Sequence, residues 1–112
     1  MRTRFALVAL ILFCAPLCRA APVLATGTIS LLRATTLLQP DGRIQNITIF
    51  QLSPALGNSC VWVWIPSTDK LSASVAVAAK LAGSSVVLSY DPTVYSPWGE
   101  SDVCGLLSID LT

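Results

Sequence analysis

Histidine is absent from all 112 residues. That removes the side chain most often used as a general base near neutral pH, and the commonest metal ligand. The acids closest to forming a cluster are Asp91, Glu100 and Asp102, which flank the proline-, glycine- and aromatic-rich stretch 92–102. Glycoside hydrolysis needs two carboxylates set across a sugar. Nothing nearby in the sequence orients these three, and acids around a loop ordinarily solvate it. No GxSxG, phosphate-loop, CxxC or HExxH spacing occurs. Cysteines without histidine make a poor zinc site. The chain reads as a non-enzyme with no metal and no cofactor. Asn46-Ile47-Thr48 matches a glycosylation sequon, a pattern short enough to arise often by chance.

What remains is aromatic. Tyr90, Tyr95 and Trp98 gather around the stretch 92–102. Rings beside hydroxyls suit sugars, because C–H faces stack on the rings while hydroxyls find polar partners. The alternative is that Tyr95 and Trp98 fold back and plug the end of a barrel.

The first twenty residues have the layout of a secretory leader. Met1-Arg2-Thr3-Arg4 is basic, Phe5 to Leu17 is apolar apart from Pro16, and Cys18-Arg19-Ala20 ends in small residues at the cleavage-determining positions. The apolar run is shorter than the roughly 20 residues of a membrane span, although a retained anchor is the competing reading. Cleavage near Ala20 predicts a secreted or periplasmic product, residues 21–112, forming a single domain. Arg2, Arg4 and Arg19 leave with the leader, so four basic residues stand against six acidic ones, a net charge of −2. A chain without a basic patch is a poor nucleic-acid binder. Cys14 and Cys18 leave too. Cys60 and Cys104 are then the remaining pair and are expected to form one disulfide, as exported small domains commonly do; two buried thiols are the alternative.

These residues must be positioned by short elements. Residues 23–38 read as a long first strand with a bulge or bend at Gly27. "QPDGR" at 39–43 suits a tight hairpin. Residues 44–52 alternate as strand two, 53–59 form a loop, and "CVWVWI" at 60–65 is strand three, stopped by Pro66. The period then becomes helical. Ser67 or Thr68 is a candidate N-cap, Leu71, Val75, Ala78 and Ala82 form a stripe, and Gly83 ends the helix. The rest of that helix is unusually apolar, which predicts an approach by something on its second side. Residues 84–91 are strand four, 92–102 a loop and 103–111 strand five. The expected fold is mainly β with one helix, an OB-type five-stranded barrel of order β-β-β-α-β-β. In strand three, Val61, Val63 and Ile65 are expected inside, leaving Trp62 and Trp64 to be covered by the helix or a neighbouring subunit.

The leader, the step "ATGTIS", the Gly-turned hairpin, the Cys-bearing strand, the helix, "AGSSVVLSYDPTVYSPW" and the final "LLSIDL" together resemble the B subunits of subtilase-type and typhoid-type AB5 toxins. The wording is most specific over 81–98. The resemblance implies an OB barrel, a pentameric ring whose helices face a central pore, and binding of sialylated or related glycans on a cell surface. By position it implies that Thr26 matches the family's sugar-contacting serine and Tyr90 a tyrosine ending strand four. The acidic residue that precedes that serine in the family is absent from "APVLAT". No toxic A-subunit partner is evident. The expected function is a non-enzymatic glycan-binding protein using Thr26, Tyr90, Tyr95 and Trp98. The alternative is an envelope structural or inhibitory protein that binds another protein and no sugar.

Overall fold

A computed structural model describes residues 22–112; the expected leader lies outside the described residues. The elements are β1 (Val23–Ala34), a 3-10 turn (Gly42–Ile44), β2 (Thr48–Ser53), β3 (Trp62–Ile65), α1 (Lys70–Ala82), β4 (Ser85–Tyr95) and β5 (Val103–Leu111). The strands close into a barrel in the order β1-β2-β3-β5-β4. Every neighbouring pair is antiparallel except β3 with β5. This is the OB-type barrel that the element order implies.

β1 serves two ladders. Val23–Thr28 pair with β4, and Thr28–Ala34 pair with β2, with a bulge between Ile29 and Leu31. Before the bulge, alternation turns Val23, Ala25, Gly27 and Ile29 inward, and Leu24, Thr26 and Thr28 outward. The bulge therefore falls after Gly27, whose role is different. A Cβ there would collide with the Ser53 carbonyl oxygen, so the glycine allows the end of β2 to cross close by.

β1 stops at Ala34, short of residue 38, and β2 starts at Thr48, later than residue 44. Both differences have one cause. The Thr35 hydroxyl accepts from Ile47 N–H (2.8 Å) and also bonds the Ile44 carbonyl, which ties the chain into a wide loop. Asn46 turns that loop with φ 55°, a left-handed conformation that asparagine tolerates. The 39–43 segment is thus part of a long loop and no tight hairpin.

β3 begins at Trp62. Val63 and Ile65 are fully buried, but Val61, expected inside, is 48 % exposed. Its neighbour Cys60 turns inward instead, drawn into a disulfide with Cys104, with Cα atoms 5.8 Å apart. The cross-link restricts the unfolded chain over a separation of 44 residues, and the chain-entropy model values that at about 4 kcal/mol.

α1 is capped by Asp69, whose carboxylate accepts from Ser72 N–H (3.1 Å), and neither Ser67 nor Thr68 is the cap. Gly83 ends it at φ 64°. The helix presents a different face from the expected stripe. Ala76 and Ala79 are buried, whereas Leu71 is 78 % exposed and Ala78 and Ala82 face solvent. A five-stranded barrel filled by Phe50, Ile65, Leu88 and Tyr90 has little room left at its mouth. Methyl side chains let the helix backbone come close where leucines would not fit.

β4 runs on through Pro92 to Tyr95, beyond the expected end at Asp91, with an irregularity between Asp91 and Tyr95 opposite β5. An added Cβ on Gly105 would be 2.9 Å from Val94 Cγ1, so the glycine admits this bulged segment. The connecting loop shrinks to 96–102.

Gly27→Ala is expected to destabilise the barrel by about 1–3 kcal/mol, since the clash is with backbone that cannot rotate away. Urea unfolding followed by tryptophan fluorescence measures it; an unchanged midpoint contradicts the close approach.

Candidate functional site

The outer face of β2, β3 and β5 carries a second, smaller apolar cluster. Ile47, Ile49 and Val103 are buried there, and Trp62, Trp64 and Trp98 pack on them. This accounts for the outward tryptophans of β3. Trp62 lies opposite Val103 and Trp64 opposite Ile49, and the third indole comes down from the 96–102 loop. Both stay partly exposed, and they pack on this cluster and not on the helix.

One side of this cluster opens into a groove of about 300 Å³ between the 35–47 and 96–102 loops. Trp62 and Trp98 contribute its aromatic surface. Arg33, Gln39, Asp41 and Glu100 contribute its polar groups. Arg33 projects from the end of β1, and its guanidinium carbon sits 4.9 Å from the centroid of the Trp62 ring, a cation–π stack.

Both loops are held by side chain–backbone bonds. In the first, Asp41 accepts from Arg43 N–H (2.9 Å) and grips the Arg43 guanidinium at 2.8 and 3.0 Å. That fork lowers the Asp41 pKa to about 2, chiefly through the side-chain hydrogen bonds and then the backbone one. In the second loop, buried Ser96 accepts from Glu100 N–H (3.1 Å), and Gly99 turns the chain at φ 89°. At the end of β4, Asp91 accepts from the Thr93 hydroxyl (2.6 Å) and N–H (2.8 Å), which lowers its pKa in that order of cause.

The four residues expected to form a sugar site do not converge. Tyr90 is 1 % exposed, and its hydroxyl both donates to the Gly57 carbonyl and accepts from Gly57 N–H, each at 3.2 Å. It is a core ring that anchors the 54–61 loop, so it is withdrawn from any surface site. Thr26 is exposed on β1 opposite Val87. Tyr95 is exposed at the other end of β4; Val87 and Tyr95 pair with Asp110 and Cys104 of β5, a separation of roughly 20 Å along that strand. Trp98 alone lines the groove. It covers the outer cluster and does not plug the barrel end. Arg33, Trp62, Gln39 and Glu100 were not among the expected site residues. Trp62 was visible as an outward aromatic, but its neighbours come from three other segments of the chain.

Among the described residues, no three His, Cys, Asp or Glu side chains group as a metal site. No family model matches the chain, and neither a curated protein nor a solved structure gives a significant match.

Because the Asp41 pKa lies below its ordinary value of about 3.9, the contribution of its pairing is present above that value and is lost as pH falls through about 2. Carboxyl NMR should place the wild-type Asp41 midpoint near about 2. Arg43→Gln should raise it toward the ordinary value; an unmoved midpoint removes the fork as the cause.

Proposed function

We propose that this protein is an exported, non-enzymatic binding module that takes a saccharide in the groove between the 35–47 and 96–102 loops. The observation that carries the reading is the placement of Trp62, Trp98 and Arg33 between these loops. They occupy the strand 2–3 face and the flanking loops that OB barrels use for oligonucleotides and oligosaccharides. Charge favours the sugar. Arg33 stands in the groove with Asp41 and Glu100, and Arg43 is already committed to Asp41; phosphate backbones call for clustered, uncommitted cations. Indole faces beside an amide and a carboxylate suit sugar C–H faces and hydroxyls. The ligand then lies away from Thr26 and Tyr90. A glycan array followed by calorimetry tests this. Trp98→Ala should weaken binding roughly tenfold or more, about 1.4 kcal/mol, while leaving the fold intact. A blank array, or a hit that ignores Trp98→Ala, overturns it.

A second reading rests on the outer side of α1. Leu71 and Leu81 are 78 % and 83 % exposed, Val77 is exposed, and Val77 and Leu81 line a cleft of about 550 Å³. An apolar face of this kind favours association with protein. The resemblance to ring-forming B subunits names copies of the same chain as the partner. Native mass spectrometry of the exported product should give an oligomer, which Val77→Glu with Leu81→Glu dissociates. A wild-type monomer rejects self-association; it leaves an envelope protein with a different partner as the surviving form of this reading.

A further inference from the structure

We infer that Arg33 is a preorganised carboxylate clamp and that the groove selects acidic sugars, hexuronic acids or their glycosides, over neutral sugars of the same ring size. The inference rests on the saccharide reading of this groove. Its basis is what Arg33 does and does not touch. The guanidinium carbon sits over the Trp62 ring, 4.9 Å from its centroid, a cation–π contact that takes up no hydrogen-bond acceptor. The five N–H donors of an arginine form a planar fork that can meet both oxygens of a carboxylate.

Among the described residues, no protein group pairs with the Arg33 guanidinium. The only ion pair among the described residues joins Arg43 to Asp41. Asp41 is the acid that shares the 35–47 side of the groove, and Arg43 Nε and a terminal nitrogen already hold both of its oxygens. Arg33 is thus a cation beside aromatic surface with no ion pair of its own, and one of the two acids lining the groove, Asp41, is held by another residue. Planar, two-point recognition of a carboxylate is what such a fork does best.

The second acid gives the ligand a direction. Glu100 lines the groove without an ion pair, so it repels a carboxylate and accepts from hydroxyls. The sugar carboxylate is directed to Arg33, and ring hydroxyls to Glu100 and Gln39. At about 300 Å³ the groove is at the small end of ligand sites, which favours one or two sugar units over a long polymer.

The test compares galacturonate and glucuronate disaccharides with their neutral galactose and glucose counterparts, by calorimetry and tryptophan fluorescence. Wild type should bind the acidic sugars at least tenfold more tightly. Arg33→Gln should erase that ratio, bringing the affinity for the acidic sugars down to that for their neutral counterparts. Arg33→Lys, which keeps the charge but not the fork, should recover only part of it. Glu100→Gln should strengthen binding of the acidic sugars, because it removes the repulsion and keeps an accepting oxygen. Neutral and acidic sugars bound alike, or an acidic preference that survives Arg33→Gln, overturns the clamp and leaves the saccharide reading standing. No binding of any sugar here or on the array overturns both.

Discussion

The barrel depends on a short parallel contact. β3 has four residues, and it meets β5 through three register pairs, Trp62–Val103, Val63–Cys104 and Trp64–Gly105. Parallel pairing is slightly weaker per residue than antiparallel pairing and needs a long crossover, supplied here by α1 and β4. Two further bonds extend the contact, since Val61 and Trp62 N–H groups both donate to the Asp102 carbonyl. The disulfide is placed at this junction. Cys60 stands just before the ladder and Cys104 within it, so the covalent bond reinforces a pairing of three register pairs. A small domain with a limited core gains stability from such a cross-link.

The same contact creates the groove. Pairing β3 with β5 puts Trp62 next to Val103, the residue that follows the 96–102 loop, and so brings Trp98 and Glu100 beside a strand distant from them in sequence. Arg33 arrives from the other side through β1 and β2, opposite Ile49. Closure, outer cluster and groove are thus consecutive results of one pairing. The capacity of the barrel explains the remaining apolar surface. Its interior is filled by residues such as Phe50, Ile65, Leu88 and Tyr90, so the helix can contribute only Ala76 and Ala79 in full. The larger side chains of α1 are left outside.

Features governed by local chemistry were legible in the sequence. Alternation located the strands, Pro66 and Gly83 marked ends, and two remaining cysteines implied one bond. Features governed by competition between local and distant partners were not. Thr35 and Asn46 convert a promising hairpin into a wide loop because a hydroxyl finds the backbone twelve residues away. Val61 is exposed because the disulfide takes Cys60 inward. The apolar stripe of α1 was real as a pattern, but barrel volume chose the smaller alanine face. Tyr90 looked like a surface aromatic because its partner, the Gly57 backbone, carries no sequence signature. The groove was least legible, since its aromatic and charged residues are drawn from separate segments joined only by the pairing order.

The distribution of hydrogen bonds separates rigid parts from available ones. Asp41, Arg43, Thr35, Ser96 and Tyr90 are all engaged with backbone or with each other, and each fixes a loop. The side chains of Arg33, Gln39 and Glu100 make no hydrogen bond to the protein among those described, yet they share one groove with Trp98. Ordering loops with one set of polar groups while leaving another set free lowers the conformational cost of binding. It also explains why the stiffened loops bracket an aromatic surface: an indole held half-buried by its own loop keeps one side packed and one side wet, the arrangement in which aromatic rings bind partners. In this barrel the polar groups that fix the loops and the polar groups free to recognise a ligand are adjacent but distinct. That division is what makes Arg33, rather than Arg43, the cation with capacity left for a ligand.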